Sequence, residues 1–574
     1  MKKILSLLVI FILSIAIYAQ NITPDRRTAW NVDFFQINPD TTVNILNYGA
    51  DNTGLVNCIL AYNQILSDFP TETIHIYFPP GTYLFTTPMN FRSRMIVSGA
   101  GADSTLLKYD GSGVNNFMQI SGATVGSEIS VSSHYAKDDL YVIASDASAI
   151  QSGDYIKMIE DDAGRITSAW STNLLGQIFK VDTVIGNEIH FTDPLRMSFD
   201  SINNPRFIEI NMKNHVGIEC LAIERVDATV GQTKNIDFNY ASYCYVNGIK
   251  SHNTNFGHVV ISNGYNVHVM NSYFKEAHAY GDGGQGYGVV LQLTTGNCLV
   301  QNNIFEHLRH SMLLQACVNG NILGYNYSRD PFWDTFPNNL AGDIVLHGNY
   351  SYMNLIEGNT VQNIVIDDSH GLNGPYNTFY RNRAELFGIN MNQPSDGQNF
   401  VGNEITSSVF GFFILSGINH YQYGNNDGGI VIPSGTDLMT DTSLYLTLQN
   451  PYYGIMNDLP KIGYPNVMNQ YKILAQLNYQ SYILANCNQE FIADTSTLAI
   501  QNWSTDDFIV YPNPSSSIIY LNGLEENDWL ELYSCSGVLC LKGIYSNGLD
   551  VRTLANGIYF IKINNGYSKF IKCN

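Results

Sequence analysis

The sequence predicts an all-β protein built as a parallel β-helix, and three observations support this fold class. Charged residues make up only 14% of the 574 residues, with 37 Tyr and 48 Gly, which favours a turn-rich β protein over a helical one. The middle of the chain keeps no helical spacing, and its short apolar runs are β-branched and aromatic. An Asn recurs between two such runs every 21 to 33 residues, a period typical of a solenoid.

The repeated unit is an apolar strand, an Asn and a second strand, as in "LVQNNIF" (299–305) and "FVGNEI" (400–405). Alignment of these units superimposes Asn271, Asn302, Asn326, Asn359, Asn382 and Asn403. Because Asn tolerates a left-handed backbone, we expect each of these residues to form a tight turn. We also expect the Asn side chains of successive coils to stack along the solenoid axis.

Two motifs near the N-terminus resemble a known family. They are "YGADNTG" (48–54) and "FPPGTY" (78–83), separated by an amphipathic stretch at 58–66. This arrangement resembles the opening of the pectate-lyase superfamily, whose fold is a right-handed parallel β-helix with a helix over its open end. With the Asn repeats, the resemblance covers about 40–450. It implies the fold and leaves the activity open, because this fold hosts lyases, hydrolases, epimerases and phage tailspikes.

The C-terminal segment contains "YPNP" (511–514), "LYSCSGVLCLKG" (532–543) and "GIYFIKI" (557–563). These elements resemble the sorting domain of the type IX secretion system of Gram-negative bacteria. The resemblance implies a small β-sandwich without an active site. It also implies that the secretion machinery carries the protein across the outer membrane, to be released or held at the cell surface.

The sequence predicts six regions along the chain. We expect a signal peptide at 1–20, the N-terminal cap and first coils at 41–121, an inserted β subdomain at 122–200, the main coils at 201–420, a C-terminal wrap or linker at 421–504 and the sorting domain at 505–574. The insertion is inferred from hairpin-like strands around the turn "IGNEI" (185–189). The signal peptide is inferred from Lys2 and Lys3, the apolar run after them and the small residue Ala19.

The composition excludes several kinds of partner and site. The net charge of −21, without a basic tail, argues against nucleic acid. No stretch of 18 apolar residues follows the signal peptide, so we expect no transmembrane segment. The nine Cys are odd in number and lack CxxC pairs, so we expect neither a disulfide framework nor a zinc site. The localisation expected is secretion or the cell surface of a Gram-negative bacterium, after Sec and type IX export.

Counting from the Asn turns predicts where a binding groove lies. In pectate-lyase-like proteins the groove is on the sheet that follows the next corner, which we call the first sheet. Its strands are expected at "GHVVIS" (257–262), "YGVVLQ" (287–292), "HSMLLQ" (310–315), "DIVLH" (343–347) and "IDDSH" (366–370). Alternation sends Gln292, Gln315, His347 and His370 outward as one column, with coils roughly 5 Å apart.

This column and the corners before it supply the candidate site. The predicted catalytic residues are Arg309, His310, His347, Asp368 and His370, and the predicted substrate-binding residues are Gln292, Gln315, Trp333, Asp343 and Arg381. A lyase acting on a uronic-acid polymer needs a cation to neutralise the substrate carboxylate and a base to remove the C5 proton. Arg309 and these histidines fit both needs.

Three functions remain open at this stage. The favoured one is a secreted enzyme that degrades a uronic-acid-containing polysaccharide by β-elimination. A polygalacturonase-like glycoside hydrolase would use two carboxyls, which "IDDSHG" offers as Asp367 and Asp368, but neighbouring strand residues face opposite sides. The third is a non-catalytic, glycan-binding adhesin. We expect a monomer whose partners are a polysaccharide and, through residues 505–574, the type IX machinery. The sequence assigns no particular cofactor, and Ca²⁺ stays an option.

Overall fold

The computed structural model describes residues 22–436, 443–446 and 472–487, and, towards the C-terminus, 509–522, 529–534, 539–545, 548–563 and 566–573. The chain divides into two compact units, with the boundary between Ala493 and Asp494. The predicted signal peptide (1–20) lies outside the described residues, as do 437–442, 447–471 and 488–504 of the predicted wrap.

The first unit is a parallel β-helix with three sheets, and this confirms the predicted fold class. The second sheet contains Thr41–Asn44, Ile74–Phe78, Met95–Gly99, Lys213–Asn214, Val216–Glu219, Ala241–Asn247, Tyr265–Met270, Leu299–Gln301, Ile322–Gly324, Leu355–Glu357, Thr378–Tyr380, Asn399–Val401 and Tyr421–Tyr423. The third sheet contains Thr53–Asn57, Gly81–Phe85, Thr105–Tyr109, Ala222–Arg225, Lys250–His252, Tyr273–Lys275, Ile304–Glu306, Tyr327–Arg329, Glu404–Ile405, Asn425–Asp427 and the antiparallel Ile430–Ile432. The first sheet contains Met89–Asn90, Met118–Ser121, Ile236–Asn239, Gly257–Ser262, Tyr287–Gln292, His310–Leu314, Ile344–Leu346 and Phe412–Leu415.

Two strands run from the third sheet into the first without a break. These are Thr360–Ile366 and Arg383–Met391, which pair with each other along both sheets. Their coils therefore lack the long corner loop that separates the two sheets in the coils before them. This difference shifts the register of the candidate site, as described below.

One continuous apolar core runs inside the coils. The first-sheet side chains that enter it include Val289, Leu291, Met312 and Leu314, all essentially inaccessible to solvent. Alternation along the strands had predicted these positions. At the N-terminal end, the helix Ile59–Asp68 contributes Ala61, Tyr62 and Ile65 to the same core, as the family resemblance implied.

Buried asparagines form a ladder along the axis of the β-helix. For part of the ladder, the residue that stacks is the one after the Asn that the sequence alignment had selected. The ladder consists of Asn303, Asn326, Asn359, Asn382, Asn403 and Asn425, and each side-chain amide donates to the next side-chain oxygen across 2.9–3.0 Å. Asn302, which the alignment had placed in this ladder, is the residue before it. It has the left-handed backbone with φ 54°, and the equivalent residue in the coil of Asn359 is Gly358. The ladder therefore lies one residue after the turn, whereas Asn302 and Asn271 form a second, shorter stack at the turn position itself that continues to Asn247.

The inserted β subdomain predicted from the hairpin-like strands is present as six antiparallel strands. They are Ala123–Ser130, Tyr141–Ile143, Tyr155–Ile159, Gly176–Ile185, Glu188–Phe191 and Arg206–Asn211, and they enclose a core of their own. The chain leaves the helix after Met118–Ser121 of the first sheet and returns to the second sheet. The subdomain consequently lies beside the edge of the first sheet, where Lys157 donates to Asn263 Oδ1 across 2.8 Å.

Residues 443–446 and 472–487 contact the outside of the β-helix. The helix Leu474–Gln480 places the Tyr479 hydroxyl 3.0 Å from Glu306 Oε1, and the Tyr445 hydroxyl donates to Gln301 Oε1 across 2.8 Å. Short 3-10 helices occur at Pro24–Arg26, Ile45–Tyr48, Ala169–Ser171, Ser201–Asn203 and Asn338–Leu340. Within the described residues, no helix is long and apolar enough to cross a membrane.

The second unit consists of two small antiparallel sheets. One contains Ile509–Tyr511, Ile518–Asn522 and Leu549–Asp550, and the other contains Trp529–Ser534, Leu539–Ile544, Gly557–Ile563 and Gly566–Lys572. Their inward residues form a separate apolar cluster that includes Ile519, Leu532 and Ile561. This arrangement agrees with the C-terminal β-sandwich predicted from the sequence.

Candidate functional site

A groove with a cavity of about 880 Å³ lies over the outer face of the first sheet. Beneath it lies a buried apolar stripe of Val260, Val290, Leu313 and Val345, one from each of four successive coils, which packs against the cavity-lining Phe256 and Tyr287. Beside the stripe runs a polar column, because the residue after Leu291, Leu314 and Leu346 points outward in each coil. Gln292, Gln315 and His347 therefore line the same cavity, as the sequence predicted.

The glutamines of this column are held by hydrogen bonds between coils. Gln315 Nε2 donates to Gln292 Oε1 across 2.9 Å, and Gln292 Nε2 donates to Ser262 Oγ across 3.1 Å. These bonds hold both side chains in place between coils. A ligand lying along the groove would therefore meet amides at fixed positions.

His347 and Asp367 form a hydrogen bond at the next step of the column. The ring Nδ1 of His347 lies 2.9 Å from Asp367 Oδ2. Burial alone would raise the pKa of Asp367, but the hydrogen bonds from His347 and from the Ser369 N–H lower it below its usual value. Because the carboxylate is ionised, His347 Nδ1 carries the proton and donates it. The other nitrogen, Nε2, is then the acceptor of the neutral ring.

His370 and Trp170 form one wall of the groove. The rings of His347 and His370 are 4.7 Å apart and nearly perpendicular, and the ring of Trp170 lies 5.3 Å from that of His370. Trp170 belongs to the inserted subdomain and remains 47% exposed. Burial, followed by the neighbouring His347, lowers the pKa of His370. The subdomain therefore contributes an accessible aromatic surface directly beside the histidines.

Arg309 is the cation nearest to the histidines in the groove. Its guanidinium donates to the Gly281 carbonyl, lies 3.6 Å from the exposed Asp282 carboxylate and sits over the Tyr287 ring. The bond to Gly281 holds the side chain in the corner before the strand. Asp282 is fully exposed, so the ion pair is open to competition from an anionic ligand.

His310 lies beneath these residues and is only 6% exposed. Its ring stacks on Tyr287 at 5.1 Å, stands 5.9 Å from the His347 ring and hydrogen-bonds through Nδ1 to the Gly342 carbonyl. Burial, with smaller contributions from the charges of His347 and Arg309, lowers the pKa of His310 to about 3. It is therefore a neutral support of the groove at ordinary pH, in contact with the catalytic candidates.

A second cation lies further along the groove. Lys234 Nζ donates to Asp237 Oδ1 across 2.7 Å, and Asn116 Nδ2 donates to Asp237 Oδ2 across 2.7 Å. Lys234 and Asn116 both line the cavity. The cavity thus has Lys234 and Arg309 as its basic residues, in a protein whose overall charge is strongly negative.

Five of the ten predicted site residues do not line the groove: His310 lies beneath it, as described above, and four others lie elsewhere. Asp368 lines a separate cavity with Arg165 and Leu372, because it faces away from its neighbour Asp367. Asp343 is buried and accepts hydrogen bonds from Ser328 Oγ and the Gln362 and Asn363 N–H groups, and burial raises its pKa to about 6. These two corrections have the same cause, since each side chain points away from the outer face of the sheet.

Trp333 and Arg381 are the other two corrections. The Trp333 indole donates to the Pro337 carbonyl within its own corner loop, and the residue does not line the cavity. Arg381 is a buried, left-handed turn residue between the second and third sheets, with its guanidinium over Tyr380. It therefore lies away from the first sheet. His370 is also displaced, since the strand ends at Ile366 and Asp367 takes the column position opposite His347.

Sequence reasoning missed three residues of the groove. Alternation counted back from Val289 would send Tyr287 to the core, but Gly288 faces inward, since a Cβ there would lie 2.8 Å from the core residue Phe305. Alternation is therefore broken before Val289, and Tyr287 turns outward. For Trp170 and Lys234 no local signal exists in the sequence, because an insertion and a distant coil bring them to the groove.

The groove does not offer a protein-built Ca²⁺ site. Calcium takes six or more oxygen ligands, mostly from clustered carboxylates and carbonyls. The carboxylates at this part of the groove are Asp282, which is fully exposed, and Asp367, which is engaged by His347 and the Ser369 N–H. Across the described residues, no group of three or more His, Cys, Asp or Glu is arranged to hold a metal.

Comparison with known proteins identifies both parts of the chain. Residues 42–277 match the family described as rhamnogalacturonase A/epimerase, pectate lyase-like, and residues 509–573 match the secretion system C-terminal sorting domain. These matches confirm the two resemblances predicted from the sequence. Residues 42–277 are thus pectate-lyase-like and 509–573 are a type IX sorting domain, which indicates a secreted or cell-surface protein. A search of curated sequences gives no match.

Solved structures with a similar fold include phage tailspikes and a polysaccharide hydrolase. Tailspike gp49 of Pseudomonas phage LKA1 is 15% identical with a TM-score of 0.48, covering 63% of this chain and 64% of the tailspike. Tailspike gp61 of Pseudomonas phage phi297 is 14% identical with a TM-score of 0.47, covering 68% of this chain and 74% of the tailspike. The exopolygalacturonase of Thermotoga maritima is 10% identical with a TM-score of 0.34, covering 69% of this chain and 94% of the enzyme.

Proposed function

We propose that this protein is a secreted carbohydrate-active enzyme that cleaves a uronic-acid-containing polysaccharide by β-elimination. The observation that carries the proposal is the His347–Asp367 pair, which shares one open groove with the cation Arg309. The pectate-lyase-like fold and the sorting domain support the coarser part, a secreted protein acting on carbohydrate.

Elimination requires removal of the proton at C5 of the uronate, next to its carboxylate. His347 suits this step, because the bond to Asp367 holds the proton on Nδ1 and leaves Nε2 free to accept another. Asp367 also stabilises the imidazolium that forms. As the C5–H bond breaks, a C4–C5 double bond forms, the C4–O bond breaks and the leaving oxygen takes up a proton.

The substrate carboxylate must be neutralised before its neighbouring proton can leave. Arg309 is placed for this role, because its present anionic neighbour is the fully exposed Asp282 and a uronate can replace it. Gln292 and Gln315 would hydrogen-bond the sugar hydroxyls of successive units, and Trp170 would support an apolar sugar face. Lys234 is in position to bind a second carboxylate further along the chain.

Hydrolysis is less well supported. A glycoside hydrolase of the usual kind needs two carboxyls flanking the scissile bond, one of them protonated. Among the described residues of the groove, Asp367 is engaged by His347 and holds a lowered pKa, and Asp368 faces another cavity. Two other carboxylates lie at the groove. Asp282 is fully exposed, which provides no environment to keep it protonated, and Asp237 is engaged by Lys234 and Asn116.

A panel of uronic-acid-containing polysaccharides tests the proposal. Elimination gives an unsaturated sugar that absorbs in the ultraviolet, hydrolysis gives reducing ends alone, and an adhesin gives neither but is retarded in a glycan-containing gel. We expect ultraviolet absorbance with wild type and its loss in His347→Ala. His252→Ala is the matched control, because His252 is a surface histidine of the third sheet. Reducing ends without absorbance, on every polysaccharide that is cut, would refute elimination.

A further inference from the structure

Two thiols from distant parts of the chain meet on the outside of the β-helix. Cys220 and Cys487 are separated by 267 positions, and Cys220 Sγ lies 3.9 Å from the Cys487 carbonyl oxygen. Both residues lie against the turn at 247–248: the Cys220 N–H donates to the Asn247 carbonyl across 3.2 Å, and Cys487 Sγ lies 3.3 Å from the Gly248 carbonyl. The Cys487 side chain is also the largest cause of the raised pKa of the Cys220 thiol.

The thiols of the other described cysteines of this unit bond to the backbone. Cys58, Cys244, Cys298 and Cys317 are buried, and the thiol of each donates to a backbone carbonyl 3.2–3.4 Å away. Cys220 and Cys487, in contrast, are partly exposed. The pair is thus both mutually close and open to a redox reagent, a combination that buried single thiols lack.

The backbone around the pair is fixed before any bond forms. Gly248 has φ +62°, and a Cβ at this position would lie 2.8 Å from the Asn486 carbonyl, so only a glycine lets the chain at 486–487 approach. The Asn486 N–H donates to the Asn271 carbonyl across 3.1 Å. Seven residues earlier, Tyr479 contacts Glu306 and lies under Arg329. Residues 472–487, which we call the strap, are therefore held in register on the coils.

We propose that Cys220 and Cys487 form a disulfide in the exported protein, which ties the strap covalently to the β-helix. Formation removes two protons and two electrons from the two thiols. The oxidant is the disulfide of a thiol–disulfide oxidoreductase outside the cytoplasm, which is reduced to two thiols as the Cys220–Cys487 bond forms. A sorting domain directs this chain to that compartment, where disulfides form and persist.

Peptide mapping of the full-length protein tests the bond directly. Protein exported by the cells is alkylated without reductant, digested and analysed by mass spectrometry. We expect one cross-linked peptide pair containing Cys220 and Cys487, two hydrogens lighter than the sum of the free peptides, that disappears on reduction. A second sample is first equilibrated in an oxidising glutathione buffer, which removes any dependence on the cell's own oxidase. Alkylation of both cysteines in both samples would overturn the proposal.

Limited proteolysis tests what the bond does. Reduction is expected to raise the cleavage rate within the strap of wild type roughly tenfold, because the strap then opens locally. In Cys487→Ser the rate should be high with or without reductant. Cys540→Ser, an exposed cysteine of the second unit, should behave like wild type. A strap that is cleaved at the same rate in reduced and oxidised wild type would contradict the role given to the bond.

Discussion

His347 donates from Nδ1 to Asp367 Oδ2 across 2.9 Å, and the two residues occupy the same column position in adjacent coils. The strands that precede them pair Leu346 with Ile366, so the backbone of the solenoid itself fixes the distance between imidazole and carboxylate. The arrangement assigns one tautomer to His347. His347 lines the cavity and Asp367 does not, so the carboxylate supports the imidazole from the side away from the cavity.

Replacing Asp367 by Asn should reduce kcat strongly while changing KM little. The amide is nearly isosteric but carries no charge, so it neither selects the Nδ1–H tautomer nor stabilises the imidazolium. We expect kcat to fall by roughly 10²- to 10⁴-fold, the usual range for impaired general acid–base catalysis. The measurement is the initial rate of ultraviolet absorbance on the best polysaccharide. Asp368→Asn is the matched control, one residue along and facing a different cavity, and equal losses in both variants would contradict the assignment.

Replacing Arg309 by Gln should lower kcat/KM on an anionic polysaccharide by about 10²- to 10³-fold, the loss typical of one group that stabilises developing charge. Salt should inhibit wild type more than the variant, because the lost contact is ionic. Both are measured as kcat/KM at several ionic strengths. Lys108→Gln, on the third sheet, removes the same charge outside the groove and should leave kcat/KM and its salt dependence unchanged.

Trp170 provides a separate test of the inserted subdomain. Removal of its exposed indole in Trp170→Ala should raise KM about tenfold, the value of a modest aromatic contact, with kcat nearly constant. Trp333→Phe serves as the control, since Trp333 does not line the cavity. An unchanged KM in Trp170→Ala would mean that the subdomain takes no part in binding.

The sequence was sufficient to predict the fold and much of the groove, because both depend on patterns that repeat over a few residues within each strand. Alternation identified Leu291 and Leu314 as core residues and Gln292 and Gln315 as outward neighbours. Alternation is a local property that neither loops nor insertions alter within a strand. The motifs at 48–54 and 78–83 likewise identify the N-terminal cap from short contiguous stretches of sequence.

The register between distant coils could not be obtained in the same way. Thr360–Ile366 passes through the corner without a loop, which moved His370 out of the column and Asp367 into it. The length of a corner depends on tertiary packing, and nothing local specifies it. Trp170 shows the same limit, because its position follows from how the subdomain rests against the coils.

The Asn ladder offers a stability test that separates two adjacent residues. Asn303 accepts from the Ser272 N–H and donates to the Val269 carbonyl, both buried, so Asn303→Ala should lower the free energy of unfolding by about 3 kcal/mol. Asn302→Gly loses one bond to Asn271 Oδ1 but relieves a left-handed backbone, and we expect a loss below about 1.5 kcal/mol. Urea unfolding measures both. A larger loss in Asn302→Gly would place the ladder at the position that the alignment first indicated.

Lowering the pH should lower the free energy of unfolding through His310. Burial lowers its pKa to about 3 in the folded protein, whereas an unfolded chain has the ordinary value near 6.5. Between these values the unfolded state binds the proton and the folded state does not. The contribution of His310 to stability is therefore full above about pH 6.5 and falls by about 1.4 kcal/mol per pH unit as the pH decreases towards 3. In His310→Gln the slope of unfolding free energy against pH, from urea titrations, should be smaller by that amount.

Glu357 should change the slope of unfolding free energy against pH in the direction opposite to His310. Its burial raises the pKa to about 7, so between about pH 4.3 and 7 the folded state binds the proton and the unfolded state does not. The stability contributed by the neutral acid is present at low pH and is lost as the pH rises through this window. Glu357→Gln should therefore make the slope of unfolding free energy against pH more positive, whereas His310→Gln makes it less positive. Two variants that shift the slope in the same direction would show that one of these groups is in the other protonation state in the folded protein.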